Sequence, residues 1–162
     1  MNSRITPFNS PLETGVRALT ILNAIFPIAL DLQRLVDFDY LVVHSGDAGG
    51  PKSLHAPLPL RSGELLVRRG LIEKGLMLMM SRGLVSRELT TAGIHYLATD
   101  VANPFLESLS SAYMLKLKDR AAWVADRFQY ASSDEVSNTT RSFFNDWTIQ
   151  FQNIELPAVR NP

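Results

Sequence analysis

The chain contains no cysteine, which excludes disulfides, thiolate metal sites and cysteine nucleophiles together. That absence agrees with a reducing, cytoplasmic setting. Charge of one sign is also missing: 16 Lys and Arg balance 16 Asp and Glu, for a formal net charge of zero. A protein that holds DNA alone usually carries a basic excess, because phosphate neutralisation supplies most of the affinity. The balance therefore disfavours a free-standing DNA binder and favours a subunit whose partner carries the charge. No apolar run is long enough to span a bilayer. The stretch from Leu19 to Leu32 is interrupted by Asn23, Pro27 and Asp31, and Leu76 to Met80 is too short. The opening MNSRITPFNSP lacks the charged-then-apolar order of a signal peptide. These absences predict a soluble, cytoplasmic protein with no membrane association. What is present is ordinary for a globular chain of 162 residues: 46% hydrophobic and 20% charged residues, enough for a packed core.

The most informative stretch is Arg61 to Thr99. Its spacing predicts a short helix, a turn softened by glycine, a second helix and a β-hairpin. Leu65, Leu66, Arg69 and Ile72 recur at helical steps, and Leu71, Leu76, Met79 and Met80 form a second apolar stripe. Gly83 suits a helix C-cap, since glycine enters the left-handed region without a Cβ penalty. Beyond it the period changes to two. Val85, Arg87 and Leu89 alternate on one strand, Ile94, Tyr96 and Ala98 on the other, and Thr90 to Gly93 is the turn. This is the order of a winged helix-turn-helix. Upstream, Ser10-Pro11-Leu12-Glu13 is a capping box with proline at the first helical position. It opens a helix that stops at Pro27, and a more apolar helix from Ile28 to His44 completes a hairpin. Downstream, Asn103-Pro104 opens a helix predicted to continue through Phe105, Leu109 and Tyr113 to Gln129. Ser132 to Glu135 is a second capping box, for a last helix carrying Val136, Phe143, Phe144 and Trp147. The expected fold is mainly α with a small β-wing (α+β). It divides into a helical hairpin plus winged helix (1–102), a C-terminal helical extension (103–150) and a tail (151–162).

Few residues converge on catalysis. Gly46 to Ser53 falls one residue short of a phosphate-binding loop, because Pro51 stands where the second glycine belongs and has no N–H to aim at phosphate. His44, Ser45 and Asp47 suggest a hydrolytic set, but neighbouring side chains diverge along the backbone. A helix C-terminus explains His44 better. His55 and His95 have no metal-ligand partner at useful spacing, and no cofactor is implied. The basic residues Arg68, Arg69, Lys74, Arg82 and Arg87 are the candidates for contacting DNA phosphates, against a solvated mixed-charge surface with Glu64, Glu73 and Glu88. The second helix of the motif offers no Asn or Gln to read adenine. Ser45 to Leu60, with three glycines and three prolines, is a long loop of the kind that is usually functional or mobile. His44, Asp47, Leu54, His55, Leu58 and Arg61 are its candidate partner-interface residues.

The run from Leu30 to Val85, with the hairpin and Asn103 to Leu109 after it, resembles the middle components of bacterial ABC-three-component systems. It is close to the small accessory subunit of Lamassu-type antiphage defence. The resemblance extends from about Ser10 to Phe128. Its most specific parts are His44-Ser45-Gly46-Asp47, Ser53-Leu54-His55, Arg61 to Arg69 and Ser81-Arg82-Gly83-Leu84. It implies a non-catalytic subunit that works with an SMC-like ABC ATPase and a separate effector, often a nuclease; double-stranded DNA within the complex is a further expected contact, through the basic residues named above. The competing reading is a homodimeric winged-helix transcriptional regulator, which the neutral charge and the poor recognition helix oppose.

Overall fold

The computed structural model describes residues 10–55 and 62–154 of the chain. Its first two helices, α1 (Pro11–Ala24) and α2 (Leu32–Val43), start by the same device. The Ser10 hydroxyl accepts from the Glu13 amide at 3.2 Å, and an Asp31 carboxylate oxygen accepts from the Arg34 amide at 2.8 Å. Each satisfies one of the amides left open at a helix start. The cap at Asp31 places the second helix four residues later than the expected Ile28. Leu30 is drawn into a different role. Its N–H and C=O exchange hydrogen bonds with Tyr96 at 3.0 and 2.8 Å, so it forms a one-residue bridge to the hairpin.

After a 3₁₀ turn at Ser45–Ala48, the chain enters α3 (Ser62–Ser81), one unbroken helix of 20 residues. The expected pair of short helices with a turn between them is therefore incorrect for this segment. A helical glycine at position 70 or 75 disfavours the helix by roughly 1 kcal/mol relative to alanine, which tertiary packing readily offsets. Gly75 gains that packing. A Cβ there would lie 2.6 Å from the Gly15 amide nitrogen, and one on Gly15 would lie 2.7 Å from the Gly75 carbonyl oxygen. Backbone thus meets backbone where α1 and α3 cross, and any side chain would force the helices apart.

Gly83, at φ 70°, ends α3 as expected. The hairpin is also as expected. β1 (Val85–Thr90) and β2 (Gly93–Ala98) pair antiparallel, with Val85 opposite Ala98, Arg87 opposite Tyr96 and Leu89 opposite Ile94. Leu30 adds to the other edge of β2, since the Tyr96 amide and carbonyl that it binds point away from β1.

The long helix expected from Asn103 to Gln129 is two helices, α4 (Ala102–Glu107) and α5 (Ala112–Phe128). Ser111 caps the second, its hydroxyl accepting from the Met114 amide at 3.2 Å. Asn103 is not a cap. It sits inside the first turn of α4 and bonds to Asn23 and Glu107. The last helix, α6 (Ser133–Ile154), opens on a complete capping box: the Ser132 amide donates to the Glu135 carboxylate at 2.7 Å, and the Glu135 amide donates to the Ser132 hydroxyl at 3.1 Å. Phe144 and Trp147 fall outside the described side chains, and 155–162 outside the described residues.

Leu19, Leu22, Leu30, Phe38, Leu41, Ile72, Leu76, Leu117, Val124 and Val136 form one buried cluster. The core thus draws on α1, α2, α3, α5 and α6 together. Among the described residues, no helix is long and apolar enough to cross a membrane.

Candidate functional site

An ion cluster is set into this apolar core. Arg17 of α1 is 3% exposed and Asp39 of α2 is 1% exposed. Their side chains meet in a two-bonded pair, Nε to Oδ1 at 2.6 Å and Nη2 to Oδ2 at 3.2 Å. Arg68 of α3 donates to the same Oδ2 at 2.6 Å. One carboxylate therefore ties three helices. Burial alone would raise the Asp39 pKa, but the positive fields of Arg17 and Arg68 and the bonds from both outweigh it and hold the carboxyl below its ordinary value. For Arg17, burial opposes the charge, and the Asp39 carboxylate more than restores it.

Around the cluster lies a shell of rings and hydroxyls. The Tyr40 and His44 rings lie 4.8 Å apart, tilted by 42°, and the Arg68 guanidinium lies 5.9 Å from the centre of the Tyr40 ring. Tyr40 donates its hydroxyl to Asp47 at 3.3 Å. The His55 ring nitrogen and the Tyr113 hydroxyl are 3.0 Å apart, and the His44 and His55 rings meet edge-on at 6.4 Å. Both histidines are pushed down to about 4. For His44 the cause is burial, then the charges of Arg68 and His55. For His55 it is burial, then Arg17. Each imidazole is neutral at pH 7. Asp47 is engaged with Tyr40 rather than with His44, so the two do not form a base and its orienter.

The loop from Ser45 to His55 is closed over this shell. Ser45 donates its hydroxyl to the Pro51 carbonyl at 2.7 Å, and the Gly46 amide donates to the Ser53 hydroxyl at 3.0 Å. The Leu54 and His55 amides both reach the Val43 carbonyl. Arg120 of α5 donates twice to the Lys52 carbonyl, at 3.1 and 2.9 Å. Gly50 lies against the Trp123 ring so closely that a Cβ would be 2.5 Å from it. The near-match to a phosphate loop thus spends its polar groups on its own domain. Leu54 is half-buried against the core. Leu58 and Arg61 lie outside the described residues. Of the candidate interface residues, His44, Asp47, Leu54 and His55 come together here.

The candidate DNA-contacting residues lie along α3, at its end and on β1. Arg68 is bound to Asp39. Arg69 is exposed and donates to Gln33 at 3.2 Å. Lys74 and Arg87 are exposed on α3 and β1. Arg82, also exposed, borders a cavity of about 630 Å³ lined by Leu12, Leu78, Met79, Leu84 and Phe105. Among the described residues, no group of three or more His, Asp or Glu could hold a metal ion.

Arg17 was not legible as a site residue. The signal was present nonetheless: a cation among the apolar residues of one helix and Asp39 among those of the next, two opposite charges on faces that must bury.

Residues 7–150 match the family model described as ABC-three component (ABC-3C) system Middle Component 2. No curated protein and no solved structure matches the chain.

Proposed function

Because the chain belongs to the Middle Component 2 family of ABC-three-component systems, we propose that it is a non-catalytic accessory subunit of an SMC-like ABC ATPase complex in antiphage defence of the Lamassu type. In this reading it links the ATPase to a nuclease effector, and its own side chains perform no turnover. The observation that carries the reading is the family match across residues 7–150. The ion cluster supports it physically. Arg17, Asp39 and Arg68 satisfy one another inside the core, an arrangement that fixes how helices sit rather than one that presents a reacting group.

A winged-helix reading is part of the proposal, on different helices from those the periodicity indicated. The order α1, bridging Leu30, α2, α3, β1 and β2 is supported by the Leu30–Tyr96 bridge, which adds a third short strand to the hairpin. In that arrangement α2 and α3 are the helix pair, and α3 occupies the place of the recognition helix.

The test is reconstitution. The purified chain should co-purify with the ATPase of its system and show neither ATP hydrolysis nor DNA cleavage alone. Turnover by the isolated chain that disappears in His44→Ala or Lys52→Ala would overturn the reading. Tight, sequence-selective DNA binding by a homodimer would favour the transcriptional regulator instead.

A further inference from the structure

The helix α3 carries large apolar side chains on two sides. Its inner side, with Ile72, Gly75, Leu76 and Met79, is buried in the core. At 100° per residue, Leu66, Val67, Gly70, Lys74, Met77 and Ser81 lie on the opposite side. There Leu66 is 73% exposed, Val67 64% and Met77 66%. The outward face of a surface helix normally carries charge, and a helix apolar all round is normally buried all round. Gly70 adds an independent anomaly. A Cβ built on it would meet nothing within 4 Å, so no packing among the described residues calls for glycine, the least favourable residue after proline in a helix interior. On the same helix Gly75 shows what such a residue permits: a backbone crossing with no side chain between.

Charge narrows the occupant. Arg69 and Arg82 stand to either side of the stripe and Lys74 lies within it, all exposed, and among the described side chains of α3 Glu73 is the one carboxylate beside them. A second copy would bring the same cationic border against this one. Duplex DNA would set phosphates over Leu66, Val67 and Met77, which offer them nothing. We propose that the outward face of α3 is a docking surface for an α-helix of the ABC ATPase subunit, a helix apolar along one side and bordered by carboxylates, crossing closest at Gly70. The helix-on-helix mode reuses ordinary ridge-and-groove packing. This inference rests on the accessory-subunit reading above.

The test compares full-length wild-type, Gly70→Leu, Met77→Asp and Lys74→Glu chains by calorimetric titration into the purified ATPase subunit, with melting temperatures recorded for each free chain. Gly70→Leu fills the notch with a better helix former in open space, so its free fold should melt no lower than wild type. Binding should weaken about thirtyfold or more for Gly70→Leu and Met77→Asp, as for central interface residues. Lys74→Glu should weaken it less and reduce its salt dependence. Wild-type binding with Gly70→Leu and Met77→Asp both within twofold overturns this surface and leaves the accessory-subunit reading standing. So does a wild-type dimer that Gly70→Leu makes monomeric, or duplex binding lost in Lys74→Glu while ATPase binding persists. Should Met77→Asp unfold, Gly70→Leu decides alone. Failure of the wild-type chain to bind the ATPase overturns both readings.

Discussion

The two sides of α3 put similar residues to different ends. On the inner side Gly75 touches Gly15, Ile72 and Leu76 are fully buried, and Arg68 joins Asp39. On the outer side a Cβ on Gly70 would meet nothing within 4 Å, and Leu66, Val67 and Met77 are exposed. Every inner residue can be explained by a neighbour in the same chain. The outer ones have no such neighbour among the described residues, and that difference is what the proposed docking surface rests on.

The contrast breaks first, and hardest, at the inner side. Asp39→Ala leaves the Arg17 guanidinium buried without its counter-charge, a change expected to destabilise the isolated chain by ~3–5 kcal/mol; chemical denaturation reads it directly. Gly75→Ala should follow with a loss of ~1–3 kcal/mol, because the three atoms that would clash all belong to backbone. On the outer side Gly70→Ala reverses the sign. It should stabilise the chain by up to ~1 kcal/mol through helix propensity alone. Leu66→Ser and Met77→Ser should sit near zero, within ~0.5 kcal/mol. An outer variant as damaging as Gly75→Ala would erase the distinction between the two sides.

Acid sharpens the inner half of the comparison. His44 and His55 are held at about 4 in the fold against an ordinary 6.5. The unfolded chain therefore binds protons that the native chain refuses. Their contribution to stability is fully present above about pH 6.5 and is lost as the pH falls toward 4. Melting temperature should decline across that window, and the decline should flatten in a His44→Gln, His55→Gln double variant. Because α3 presents no histidine on its outer side, Gly70→Leu should leave the slope unchanged.

What was readable in the sequence was local. The helix cap at Ser10, the capping box at Ser132 and the period change at Gly83 each involve residues within a few positions, and each appears in the structure. Continuity was harder to read. Gly70 suggested a turn because glycine disfavours helix, yet α3 has long flanks and a buried side to carry it. The break before α5 was hidden for the opposite reason: Phe105, Leu109 and Tyr113 keep a four-residue step straight across it. The ion cluster needed partners 22 and 29 positions apart, a distance no periodicity reports. The loop from Ser45 shows a similar limit. Its glycines and prolines suggested a contact surface, and what they did not show is that the described part bonds to Val43 and Arg120 and packs Gly50 against Trp123 of its own domain.

The absence of cysteine, first noted for what it excludes, supplies the most direct test of the docking face. Met77→Cys gives the chain a single thiol at the centre of the outer stripe. Its alkylation rate is to be followed by mass spectrometry of this chain, free and in the reconstituted ATPase complex. Tyr130→Cys, at a site 89% exposed on the turn after α5, serves as the control. The account predicts fast labelling of both thiols in the free chain. In the complex, position 77 should slow by about tenfold or more while position 130 keeps its rate. Equal labelling of position 77 in the free and bound states would contradict it.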